Sequence, residues 1–190
     1  MMHLRRILAL TWLVTMGTWT AAAELPGDSL YQLRAELLTQ DGAHQPLSLF
    51  RGHPTLVSMF YGSCPASCPM LITSLQVYEQ HLPPGARTRV RVLLVSFDPQ
   101  RDTAPRLAVL AHEHRTDPAR WTLAVAAADD ARKIAALLGV QYRPLPDGGY
   151  DHSLLITLLD PDGRRVASTT KLVGDAQFAT QLAAAAGPAP

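Results

Sequence analysis

Cys64 and Cys68 are the only two cysteines in a chain of 190 residues, and three positions separate them. On one helical turn such a pair shares a face, with Cβ atoms about 5–6 Å apart. Both sulfurs can then reach a single metal ion, or close into a disulfide after a small adjustment. A structural disulfide is the plainest alternative in an oxidising compartment. It is a poor explanation here, because so small a ring constrains the unfolded chain very little. Thiolates are soft donors that suit Cu(I), and an added imidazole makes a site that also holds Cu(II). A helix N-terminus favours the thiolate that binds metal or attacks a disulfide.

A third donor must come from elsewhere, and the chain has seven histidines. His3 lies near the N-terminus, and His44, His53, His81, His112 and His114 read as solvated surface residues. His152 stands between a Gly/Pro-rich segment and an apolar run, where loops converge on the functional end of an α/β sheet. The residues alone leave its role open, since histidines in loops are common. Asp102 reads as a helix-capping carboxylate, while Asp98 is balanced between capping and support of a metal site. Asp151 is balanced between orienting His152 and plain solvation. Met59 and Met70 read as core residues rather than thioether ligands, and Phe60 and Tyr61 as an apolar wall beside the cysteines.

The elements that must position these residues alternate along the chain. Tyr31 to Leu38 and the short run Leu47-Ser48-Leu49 suggest an N-terminal β-hairpin around Asp41-Gly42. Thr55 to Phe60 and Val90 to Ser96 are short apolar runs suited to buried strands, and Trp121 to Ala127 suggests a third. Helices are predicted from Pro69 to Glu79, stopped by Pro83-Pro84-Gly85, and from Thr103 to His114. A further helix runs from Asp129 to Leu138, with Gly139 as its stop. After a loop holding Pro144, Pro146 and Gly148-Gly149, Leu154 to Leu159 and Val166 to Thr169 form a second hairpin around Asp160-Pro161-Asp162-Gly163. A helix from Asp175 to Ala185 closes the pattern. The expected class is α/β of thioredoxin type, a central mixed sheet flanked by helices with an N-terminal β-hairpin. One domain, residues 24–186, is expected, followed by a disordered tail at 187–190.

Arg5 and Arg6 precede an apolar run from Ile7 to Ala23 that ends in Ala21-Ala22-Ala23, the small-residue pattern of a cleaved signal peptide. A retained membrane anchor is the alternative, although the run is at the short limit for a bilayer span. Either way the folded part is expected outside the cytoplasm, in a bacterial periplasm. The net charge is +1, with 17 basic and 16 acidic residues and no basic cluster. Nothing in that balance draws the chain to nucleic acid.

Three spaced motifs carry a resemblance. They are Cys64-Pro65-Ala66-Ser67-Cys68-Pro69, then Ser96-Phe97-Asp98-Pro99-Gln100-Arg101-Asp102-Thr103, then Tyr150-Asp151-His152-Ser153 ahead of Asp160-Pro161-Asp162-Gly163. In this order, across about Leu30 to Leu182, the chain resembles the Sco/SenC family, thioredoxin-like copper proteins that assist cytochrome c oxidase assembly. The resemblance implies copper, Cu(I) or Cu(II), bound by Cys64, Cys68 and His152. It also implies a copper-receiving partner, a cytochrome c oxidase subunit. Ala66 stands where family members often carry an acidic residue, and Tyr61-Gly62-Ser63 where an aromatic-Thr pair is common. The same dithiol supports a competing role as a thiol-disulfide reductase that keeps a partner's cysteines reduced, although the usual spacing for that chemistry is C-x-x-C. A peroxidase would need a hydroxyl and an arginine around its reactive cysteine, and Tyr61 occupies the position where a threonine is expected.

Overall fold

Thr55–Phe60 (β3) is buried at every residue, and Arg91–Ser96 (β4) at all but its first. Continuous burial of this kind belongs to strands covered on both faces. A computed structural model describes residues 24–64 and 67–187. The expected leader at 1–23 lies outside the described residues, as do residues 188–190 of the expected tail. Gly187 is described, and it ends the last helix at a φ of 73°. Among the described residues, no helix is long and apolar enough to cross a membrane.

The strands β3 and β4 pair in parallel, and Trp121–Ala126 (β5) extends them in the same direction. Glu36–Thr39 (β1) runs antiparallel to β5 and turns into His44–Pro46 (β2). On the other side Ile156–Leu159 (β8) is antiparallel to β3 and continues into Arg165–Thr169 (β9). The mixed sheet has the order β2-β1-β5-β4-β3-β8-β9. Ser67–Gln80 (α1) follows β3, and the short Pro84–Arg87 (α2) leads into β4. Ala104–Glu113 (α3) and Ala128–Leu138 (α4) pack on β5, and Ala176–Ala186 (α5) packs on β9. Leu56, Leu75, Leu94, Trp121 and Phe178 are among the fully buried side chains between these layers. This is the expected thioredoxin-type architecture with its N-terminal hairpin.

Three local expectations are corrected. Tyr31 belongs to a 3₁₀ turn, Leu30–Gln32, because the Ser29 side chain accepts its amide N–H at 3.1 Å and its phenol reaches Thr55 Oγ1 at 3.3 Å in the core. The strand therefore begins only at Glu36. Leu47–Phe50 is also a 3₁₀ turn, which puts Leu47 and Phe50 into the core and leaves Leu49 exposed. The i,i+3 alignment of that helix type suits this pair, and His44–Pro46 serves as the hairpin strand instead. The loop around Gly148 contains a second, two-stranded sheet of Tyr142–Pro144 (β6) and Tyr150–His152 (β7). Gly148, at a φ of 83°, makes the reversal, with Leu145 N–H donating to the Gly149 carbonyl. His152 thus sits on a strand rather than in a loop.

Candidate metal centre

Phe60 and Ser96 are register partners, and the Phe97 amide donates to the Phe60 carbonyl one step further on. The next residues, Tyr61 and Phe97, therefore leave the sheet side by side, with ring centroids 5.6 Å apart. The backbone of Tyr61 gathers both cysteines. Its carbonyl accepts the Cys64 amide at 3.2 Å and the Cys68 thiol at 3.2 Å. Cys64 is half-buried, Cys68 is buried in the first turn of α1, and no disulfide joins them.

Burial pushes the Cys68 thiol well above its usual range, and the neighbouring Cys64 and Asp102 push the same way. The expectation that a helix N-terminus favours the thiolate is overturned at this residue. The cost of a charge in the core outweighs the partial positive charge of a helix end. Cys68 holds its proton until a metal ion or a disulfide replaces it.

The Tyr61 ring reaches across to the β6–β7 ribbon. Its centroid lies 5.1 Å from that of Tyr150 and 5.7 Å from that of His152, the latter edge-on. Phe97 backs the imidazole at 5.3 Å and stacks on Tyr142 at 4.5 Å. Burial raises the Tyr61 phenol pKa, and Cys64 adds to the rise. Tyr61 is thus the shared neighbour of Cys64 and His152. Among the described residues, no group of three or more His, Cys, Asp or Glu side chains is closed into a ready metal cage.

Asp102 does not cap a helix. Its buried carboxylate accepts the Gly62 amide at 2.8 Å and the Ser96 hydroxyl at 2.5 Å, tying the cysteine turn to the end of β4. Thr103, the residue expected to open this helix, occupies the N-cap position. Asp98 is buried, pairs with Arg101 and accepts the Tyr150 hydroxyl at 3.3 Å, which ties β4 to the strand bearing His152. Asp151 pairs with Arg143 across the ribbon at 2.8 Å. Met59 is core as expected, but Met70 is 49% exposed. Phe97, Tyr142 and Tyr150 complete an aromatic wall that spacing alone does not single out.

A Cβ on Gly62 would stand 2.5 Å from Asp102 Oδ1, and the Asp102 side chain has no exposed surface to retreat into. Gly62→Ala is expected to destabilise the fold by about 1–3 kcal/mol, read as a lower urea midpoint. A midpoint equal to wild type would show that Asp102 does not pin this turn.

Comparison with known proteins adds a family match: the profile described as SCO1/SenC covers residues 26–187. A curated relative from Stutzerimonas stutzeri, named "Putative copper-binding protein", is 24% identical over 132 residues. The alignment takes in 67% of this chain and spans 63% of the relative's length. The structure of Bradyrhizobium japonicum ScoI with copper bound superposes with a TM-score of 0.63 at 26% identity, covering 80% of this chain and 94% of that one. BsSco, described as a member of the Sco family of cytochrome c oxidase assembly proteins with a disulfide switch, has a TM-score of 0.66 at 18% identity. That match covers 80% of this chain and 90% of BsSco.

Proposed function

The chain belongs to the SCO1/SenC family, and from that premise we propose that it is a periplasmic copper metallochaperone. It carries copper on Cys64, Cys68 and His152 and passes it to a copper-receiving respiratory protein, a cytochrome c oxidase subunit. The observation that carries this reading is the meeting of the three residues around Tyr61. The Cys64 amide and the Cys68 thiol share its carbonyl, and the half-buried imidazole packs on its ring. Two sulfurs and one nitrogen are a donor set that accepts copper in either oxidation state. Copper is cargo here, and the half-buried positions of Cys64 and His152 leave room for an incoming ligand. The copper-bound relative supports the cargo, and the apolar run at 7–23 supports export.

His152→Ala is expected to weaken Cu(II) binding at least about tenfold, a loss at the lower end for removing a group that only supports a metal. Cu(I) affinity should change less, because the thiolates remain. Copper titration followed by absorption spectroscopy reads both states. Unchanged Cu(II) affinity and spectra would take His152 out of the ligand set.

The adjacency of the two sulfurs also supports a second reading, thiol-disulfide reduction of a partner. Cys64 and Cys68 would give up two electrons and two protons to the partner's disulfide and become a disulfide themselves. That activity does not need the imidazole, so His152→Ala would leave it intact while copper binding fell.

A further inference from the structure

The C-terminal end of α1 faces the α3–β5 connection across a polar cleft of about 340 Å³. It lies about 17 Å along the helix from Cys68, at 1.5 Å per residue, so it is separate from the copper-site residues. Two carboxylates and three guanidiniums line it. Arg120 answers both carboxylates, pairing with Glu79 through Nη1 and with Asp117 through Nε at 2.9 Å. Arg87 also pulls on Glu79, and with Arg115 it leaves the cleft three guanidiniums against two carboxylates, one surplus positive charge.

Both are held at a cost. Arg87 Nε is fully buried and has no hydrogen-bond partner, one of only two such side-chain atoms among the described residues. Its Nη2 reaches the Gln80 and Leu82 carbonyls only at 3.4 Å. A buried donor of this kind loses its hydration without replacement. Arg115 is the sole non-glycine among the described residues with a positive φ, 51°. It stands just past the end of α3, where its amide donates to the His112 carbonyl and the Thr116 amide to the Ala111 carbonyl. That pairing closes a helix in a motif whose left-handed position is normally glycine. Glycine would relieve the strain but would remove a cation from the cleft.

We propose that this cleft binds a tetrahedral oxyanion, a phosphate or sulfate group, between Arg87 and Arg115. Guanidinium donors match the oxygens of such a group and can hold two at once. The Glu79–Arg120–Asp117 set, one guanidinium against two carboxylates, forms the rest of the wall, and Arg87 and Arg115 turn the balance of the cleft positive. His114 and Thr116 line the cleft as well. The site stands whether or not the copper reading does.

Thermal unfolding of the full chain tests it, in inorganic phosphate or sulfate against sodium chloride at equal ionic strength. A tenfold linkage to the folded state should raise Tm by about 3–5 °C beyond the chloride control. Arg115→Gly keeps the helix terminus and should abolish that increment, as should Arg87→Met; Cu(I) affinity should be unchanged in both. A wild-type increment no larger than that of chloride, or one retained in Arg115→Gly, would overturn the proposal. Vesicles of phosphatidylcholine with phosphatidylglycerol distinguish the sources. Flotation that phosphate competes away identifies a lipid headgroup, and phosphate stabilisation without flotation identifies the free anion; either result upholds the site.

Discussion

Cys68→Ser is expected to lower Cu(I) affinity by more than about a hundredfold, beyond the 10- to 100-fold seen when a group behind a metal ligand is lost. The substitution barely changes side-chain volume at a buried position, so the core is not opened. The hydroxyl can still donate to the Tyr61 carbonyl, but it does not ionise to a soft ligand. Cys64 would then face the ion with one imidazole at most. Competition against a chromophoric Cu(I) chelator gives the affinity, and circular dichroism confirms the fold. Affinity within about tenfold of wild type would mean that copper is held elsewhere.

The largest stability loss is expected at the opposite end of α1. Glu79 is buried, pairs with Arg120 and accepts the Trp121 indole N–H at 2.8 Å. Glu79→Ala leaves a nearly buried guanidinium and a buried indole N–H without their acceptor. The cost is about 3 kcal/mol, at the lower end for breaking a buried pair, because Asp117 still holds Arg120. Burial raises the Glu79 pKa above its ordinary 4.5 despite the opposing pull of Arg120 and Trp121. An acid shifted this way binds its proton more tightly when folded. The proton-linked part of its contribution is therefore complete below pH 4.5 and is lost as pH rises through the folded pKa, while the contacts to Arg120 and Trp121 remain. The stability of wild type minus that of Glu79→Gln should decline across that window in denaturant titrations. A flat difference would show that the carboxyl is ionised without penalty.

Most of the framework was legible because the buried strands write their burial directly. Thr55 to Phe60 and the run ending at Ser96 hold no polar alternation, and Gly139 stops its helix in the left-handed conformation, as read. The N-terminal hairpin was legible only as a hairpin. Ser29, by accepting the Tyr31 amide, diverts that residue into a 3₁₀ turn that apolar periodicity does not reveal. The cysteine pair was visible from type and spacing, whereas His152 needed the family pattern. Asp102 was misread because a carboxylate before a helix has an ordinary use as a cap. Its actual partners, Gly62 and Ser96, are brought to it only by the parallel register of β3 and β4. The aromatic wall escaped notice for the same reason, since Phe97, Tyr142 and Tyr150 come from three segments.

The rims of the central sheet carry a consequence for recruitment. On one side β2 is three residues long and ends in Pro46, which has no amide hydrogen to donate. On the other, β9 opens with Arg165 opposite an irregularity between Leu158 and Leu159. A partner's extended segment finds a regular ladder to lengthen only along β9, from Ala167 to Thr169. Templated backbone pairing with a second polypeptide is thereby confined to one border of the sheet.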